Sequence, residues 1–521
     1  MRILFSVVSL IILMGTSCKK FLDTKPEDFI SPVNYYKNKG DLTRALTGVY
    51  DRLGDLRLYG RGMYTFMVFS DEFYFKNGIS GALSNTIDPS TLEINRQWEA
   101  IYTGIERANM LLENMGGADV SPEFFNEVRG QALFLRAYFY FLLVDQYGGV
   151  PLKLTFTKSP VEEPLHRTSV AEVYEQIVKD MKEGEGLVKT ITSYGFNGRI
   201  SKTAVQGMLA RVFLTMAGKP LEDQTKYAEA RDYAQKVMQS GEHALNPDYK
   251  QIFINHSREI YDIKEGLWEI EFSGANQGTI REGSSLGAYN GIACTNVDSG
   301  AGADNIRTNR KLWNAFGAGD LRRDWSIAPY RFVTTGTTTA RVAWSGTEIY
   351  ERSTGKWRRE YETFLPRNRD FSGTNVPALR YSDVLLMFAE ADNEVAGGPS
   401  PAGYLALNQV RRRGYGKPIN TADAGADAPA GMSKNQFRTY IQNERLRELS
   451  FEGIRKHDLV RWGIYVQAMQ GLIPVYETDM PAILRTGPLI QVRNVTERSN
   501  LFPIPTTEIL VNPRVTQNPG W

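Results

Sequence analysis

The chain has 521 residues, with 61 basic against 59 acidic, for a formal net charge of +2. That balance offers no electrostatic footprint for nucleic acid, and the length leaves ample room for a sizeable core. Two cysteines, Cys18 and Cys294, exclude a disulfide framework. The start is the first informative segment. Arg2 precedes an apolar run from Ile3 to Met14, then Gly15-Thr16-Ser17-Cys18. The run is shorter than the ~20 residues that cross a bilayer, and Lys19-Lys20 follow at once. A cationic start, a short apolar core and small residues before a cysteine form a bacterial lipoprotein signal. Residues 1–17 are therefore expected to be removed. Cys18 is expected to carry the acyl chains, and residues 18–521 form the mature chain, read as one domain.

Downstream, residues 41–240 read as helices. Leu42, Ala45, Leu46, Val49, Tyr50 and Leu53 make one apolar stripe at three- and four-residue spacing. Ile101, Tyr102, Ile105, Ala108, Leu111 and Leu112 make a second. Ser121-Pro122-Glu123 opens a helix with a capping hydroxyl, a first-turn proline and an acid at the positive dipole end. That helix is apolar almost all round from Ala132 to Val144, so it is expected to be central and buried. Gly148-Gly149 ends it. Further helices open at Thr168-Ser169 and Ser201, and another runs from Tyr227 to Met238. Successive pairs joined by short turns suggest a tetratricopeptide-like stack.

Between residues 268 and 377 the periodicity fades and Gly, Ser, Thr and Asn rise. This stretch is expected to be irregular and to supply the ligand surface. Thr347-Glu348-Ile349-Tyr350 is the expected type of short strand there. Helices return over residues 380–470, at Arg380 to Ala396, Ala402 to Arg412, Ser433 to Ser450 and Ile454 to Met469. The Pro-rich end is expected to be extended.

Ordered blocks along the whole chain resemble the SusD/RagB family of outer-membrane nutrient-binding lipoproteins. After Cys18 come Phe21-Leu22-Asp23 and Lys25-Pro26. Leu135-Arg136-Ala137 is followed by Tyr147-Gly148-Gly149-Val150-Pro151-Leu152. Leu379-Arg380-Tyr381-Ser382-Asp383 leads to Ala389-Glu390-Ala391. The most specific block is Glu444-Arg445, Glu448-Leu449 and Phe451-Glu452-Gly453, continuing to Asp458-Leu459-Val460-Arg461-Trp462. The end carries Phe502-Pro503-Ile504-Pro505, Asn512-Pro513 and Asn518-Pro519-Gly520-Trp521. The resemblance implies a mainly α, SusD-like protein displayed at the outer membrane. It also implies a SusC-like, TonB-dependent transporter as partner, which the protein covers as a lid and to which it passes its ligand. The helical scaffold would face that barrel.

The charged block reads as structural. Glu444, Arg445, Arg447, Glu448 and Arg461 are expected to pair across helices, fixing geometry more than adding stability. Trp98 and Trp313 read as core. Signals for chemistry are weak. Gly283-Ser284-Ser285-Leu286-Gly287 has the form of a hydrolase elbow but lacks its strand–turn–helix setting. His166, His243, His256 and His457 show no metal spacing. No catalytic residue, cofactor or metal is expected.

Binding is better supported. Sugars present flat C–H faces to aromatic rings and hydroxyl rims to amides and charges, each stack adding about 1 kcal/mol. With 26 Tyr, 25 Phe and 8 Trp, the chain has rings to spare beyond its core. Asp71, Phe73, Tyr74 and Asn77 fit in the early loop, and Tyr289, Asn290, Trp325, Trp344 and Trp357 in the middle. The expected ligand is an oligosaccharide or polysaccharide fragment. The rival readings are a RagB-like peptide-uptake protein, with charged and apolar pockets in place of ring platforms, and a surface glycan hydrolase.

Overall fold

The computed structural model describes residues 35–61, 70–78, 81–159, 163–274 and 283–521. The expected signal at 1–17 and the anchor Cys18 lie outside the described residues. The scaffold is a sequential stack of helices: α1 (Lys39–Tyr50), α2 (Leu92–Asn114), α3 (Pro122–Tyr147), α4 (Val170–Glu185), α5 (Lys202–Ala217) and α6 (Lys226–Gln239). Each packs on the one before it. The caps explain the starts. Ser121, Ser169 and Ser201 each accept a hydrogen bond from a first-turn backbone N–H, and Ser169 forms a reciprocal capping box with Glu172. Gly148, at φ +73°, ends α3 in a conformation that other residues adopt only under strain. Every residue from Ala132 to Val144 is buried, as the all-round apolar pattern requires. Gly104 lets α2 approach α3, because a Cβ there would lie 2.4 Å from the Phe139 ring.

The stack then skips more than a hundred residues. Helix α6 packs not on α7 (Tyr249–Ser257) but on α8 (Tyr381–Val395), which in turn contacts α9 (Pro401–Gly414) and α10 (Lys434–Leu449). The intervening chain is an excursion from one continuous scaffold. Its neck is a two-stranded antiparallel sheet, β2 (Gly266–Ile270) with β6 (Val376–Arg380), pairing Gly266 with Arg380 and Ile270 with Val376. Both strands are fully buried against α5. Two further antiparallel pairs lie outside the neck. One is β1 (Phe73–Phe75) with β3 (Ile306–Thr308), and the other is the hairpin β4 (Tyr330–Thr335) with β5 (Thr338–Ala343).

Ion pairs hold the excursion to the scaffold. Glu448 of α10, fully buried, lies 2.6 Å from Arg413, 3.1 Å from Arg380 and 3.1 Å from Arg322. Arg322 comes from the excursion, as does Lys356, which reaches Glu452 at 2.7 Å. Glu444 pairs with Arg322, Arg411 and Arg447. Arg445 and Arg461 share Asp458, beside Asp383 and Glu390. The expected cross-helix pairing is present, and it reaches beyond the helical block into the middle of the chain. Burial alone would raise the Glu448 carboxyl, but Arg413, Arg380 and Arg322 outweigh it and bring it down to about 2.

Two expectations on local structure are corrected. Thr347 to Tyr350 is a turn, not a strand. The exposed strands fall earlier, where Thr-rich residues 330–343 favour an extended backbone around Gly336 at φ +61°. The C-terminal stretch is not simply extended. It contains helices Leu472–Asp479, Ala482–Arg493 and Thr506–Val511. Pro474, Pro481 and Pro505 sit at or just before helix starts, where a missing N–H costs nothing.

Candidate functional site

Four distant segments are stitched into one surface by backbone hydrogen bonds. Ser285 N–H donates to Gly60 O at 2.7 Å, and Tyr289 N–H to Ser285 O at 2.8 Å. Asn305 N–H donates to Tyr289 O at 3.0 Å, and Lys76 N–H to Asn305 O at 3.0 Å. The last link extends the β1–β3 ladder, which pairs Phe75 with Ile306. The stitch sets Arg61, Tyr289, Asn305, Lys76 and Asn77 side by side. Arg61, Lys76 and Asn77 are exposed, while Tyr289 and Asn305 are half-buried. The Arg61 guanidinium lies 4.1 Å from the centre of the Tyr289 ring, a cation–π contact that fixes the ring.

Behind the patch sits Asp304, 1% exposed. Its Oδ2 accepts from Arg307 at 2.7 and 2.9 Å and from Lys76 at 3.3 Å. Ala301 and Asp304 have φ of +51° and +56°, left-handed values that are unusual for residues with a Cβ. Such strain persists only where surrounding contacts over-determine it. Here the contacts are the Asp304 ion pairs and the Ala303 N–H bond to Ala288 O at 2.7 Å.

The residues proposed from sequence divide sharply. Asn77 and Tyr289 both belong to the patch, Asn77 as the neighbour of Lys76 and Tyr289 through its bond with Asn305. Trp344 lies apart, half-buried just after β5, with Arg331 over its ring at 4.6 Å. The others are interior. Asp71 is fully buried and bonded by Arg455 at 2.8 and 3.1 Å and by Lys311. Burial pushes its carboxyl up, but these cations hold it well below the usual range. It ties the early loop to helix α11 (Arg455–Arg461) rather than facing solvent. Phe73 and Tyr74 are 1% exposed, packed in the β1–β3 ladder, and the Tyr74 hydroxyl donates to Tyr350 O. Asn290 is 1% exposed. Trp325 is 7% exposed beneath Arg358, 3.9 Å from its ring centre. Trp357 packs edge-on to Phe253 in the core. A ring with both faces covered has none left for a sugar.

Arg61 and Asn305 were not foreseen. Neither lies in a motif, and only the stitch brings them to Tyr289. The elbow-like motif lacks the strand–turn–helix setting of a hydrolase. Ser284 and Ser285 are both buried, and turns rather than a helix follow the motif. Trp98 and Trp313 are integrated as expected, Trp98 in the core and Trp313 packed against it between Arg352 and Arg323. A cavity of about 70 Å³ beside His457 and Arg211 is far below the 300 Å³ or more of ordinary ligand pockets. A broad groove of about 1200 Å³ runs outside α2 along residues 151–159. Its rings are already engaged, Trp98 with Glu508 and Tyr102 with Pro151 O.

Comparisons with known proteins agree with this architecture. A family model described as "Starch-binding associating with outer membrane" matches residues 20–214, and the SusD family model matches 326–521. SusD-like protein P2 of Formosa agariphila is 26% identical, over 99% of this chain and 98% of that protein. The crystal structure of a SusD homolog from Bacteroides thetaiotaomicron superposes with a TM-score of 0.86 at 30% identity, covering 94% of this chain and 98% of that one. A laminarin-binding SusD-like protein shares the fold, with a TM-score of 0.74 at 22% identity over 93% and 100% of the two chains. With sequence similarity across nearly its full length and the same helical stack, the chain belongs to the SusD family.

Proposed function

We propose that this protein is an outer-membrane lipoprotein that captures an oligosaccharide or polysaccharide fragment and leaves it chemically intact. In this reading Cys18 holds the mature domain, residues 18–521, at the membrane. The ligand passes to a SusC-like, TonB-dependent transporter that faces the helical scaffold. The observation that carries the reading is the stitched patch. It offers a fixed ring, Tyr289, with amides at Asn77 and Asn305 and cations at Arg61 and Lys76. Rings for sugar faces and hydrogen-bonding groups for their rims are what glycan capture needs. Trp344 is proposed as an outlying contact. Asp71, Phe73, Tyr74, Asn290 and Trp325 act from beneath, by holding the surface in shape.

The family-model description and the laminarin-binding neighbour support a carbohydrate ligand. The test is electrophoresis of the purified protein through gels containing individual polysaccharides, with the ligand recovered afterwards. Retardation with the glycan unchanged is expected. Released fragments would instead establish a hydrolase, and retention of peptides alone would establish the peptide reading. Anchoring has its own check. Cys18→Ala should move the protein from the membrane to the soluble fraction with its fold intact, and continued sedimentation with membranes would refute the anchor.

A further inference from the structure

We propose that the glycan taken by this patch is anionic, bearing carboxylate or sulfate groups that meet Arg61 and Lys76. The inference rests on the glycan-binding reading and narrows its ligand class. Its basis is unequal charge compensation around Tyr289. Arg61 is exposed, lies over the ring, and has no carboxylate partner among the described residues. Lys76 has one, but must share it. Asp304 Oδ2 is already held by two nitrogens of Arg307, the nearer at 2.7 Å, while Lys76 Nζ stands off at 3.3 Å with its side chain 37% exposed. Among the described residues, Asp304 is the one carboxylate bonded at the patch, and Arg307 already holds it, so Arg61 and Lys76 are the two outward-facing cations.

Two other guanidinium groups that lie over tryptophan rings are closed off. Arg358 over Trp325 donates to Gly355 O and Asp324 O, and Arg352 over Trp313 donates to Glu348 O and Ser345 O. Arg61 has no such acceptor among the described residues, and a guanidinium carries five N–H donors. A guanidinium matches carboxylate and sulfate oxygens in paired geometry, and the ammonium of Lys76 adds a second point charge. The exposed amide of Asn77 serves neutral hydroxyls. A sugar at this patch with acidic substituents directed at Arg61 and Lys76 would use both exposed cations.

The test uses matched probes that differ only in charge. An oligogalacturonate is compared with its carboxyl-reduced form, and a sulfated carrageenan oligosaccharide with its desulfated form, by calorimetry on the mature protein. At least one charged member should bind about tenfold or more tightly than its neutral match, the range of one charge-assisted hydrogen bond. The preference should shrink in about 0.5 M salt, where screening is strong. It should also disappear in the double variant Arg61→Gln, Lys76→Gln, checked for an unchanged melting temperature. If that variant melts early, the salt dependence and the single variant Lys76→Gln decide. Equal affinity within both pairs, or no binding of any of the four, overturns the proposal, as does a preference that survives the substitutions. Neutral glycans retained in the gel assay would leave the glycan-binding reading standing, whereas failure of every polysaccharide there would remove that reading itself.

Discussion

Arg380 and Arg61 carry the same group in opposite settings. Arg380 is 1% exposed and bonds Glu265, Glu448 and Glu452 through its guanidinium. Arg61 is exposed and rests on a ring. Around Arg380, each charge is answered from within, so the network fixes how the middle of the chain sits on the helices and projects nothing outward. Around Tyr289, Arg61 has no carboxylate partner among the described residues, and Lys76 shares Asp304 with Arg307. Burial and pairing, more than residue type, separate scaffold from site here.

The sharpest way to break this contrast is on the scaffold side. Glu448→Ala leaves three buried guanidinium groups without a shared partner, and should cost about 3–5 kcal/mol in chemical denaturation. A loss within about 0.5 kcal/mol, the range of ordinary surface changes, would show the network to be ornamental. Acid should act in the same direction. In the fold Glu448 keeps its charge down to about 2, against an ordinary value of 4.5. Its contribution is therefore complete above the unfolded value and is lost as pH falls from there towards 2. Next in size is Trp325→Ala, which should cost about 3 kcal/mol because the ring is buried beneath Arg358. Weakened glycan retention at an unchanged melting temperature would return Trp325 to the ligand surface.

Glu72 gives the opposite pH signature. Burial pushes its carboxyl up to about 8, although Oε1 accepts a hydrogen bond from Phe451 N–H at 3.1 Å. The folded state holds the proton more tightly, so stability from this group is full below about 4.5 and declines as pH rises towards 8. Glu72→Gln keeps the acceptor and removes the charge. Its melting temperature should match the parent near pH 4 and exceed it near pH 8. An equal shift at both values would mean that Glu72 is not the titrating group. The smallest effect is expected at the patch. Tyr289→Ala should weaken glycan retention by roughly fivefold, corresponding to about 1 kcal/mol of ring stacking, with little change in melting temperature.

The helices were legible because each advertises itself locally. Ser121, Ser169 and Ser201 mark starts, and apolar stripes mark faces. The central burial of α3 followed from residues that leave no polar side. The site was legible only in part, since Phe73 and Tyr289 are both aromatic residues beside polar ones in Gly-rich surroundings. What distinguishes them is pairing with strands more than two hundred positions away, which no local pattern encodes. Arg61 was missed for the same reason. Its ring partner is set by a backbone bond between Gly60 and Ser285.

That backbone stitch has a consequence for variation. Peptide N–H and C=O groups bond alike whichever side chain they carry. Residues 61, 76, 77, 289 and 305 can therefore be exchanged while the platform beneath them persists. On the proposed reading of this patch, diet breadth changes one substitution at a time on an unaltered frame, and laboratory retargeting to new polysaccharides begins at these five positions.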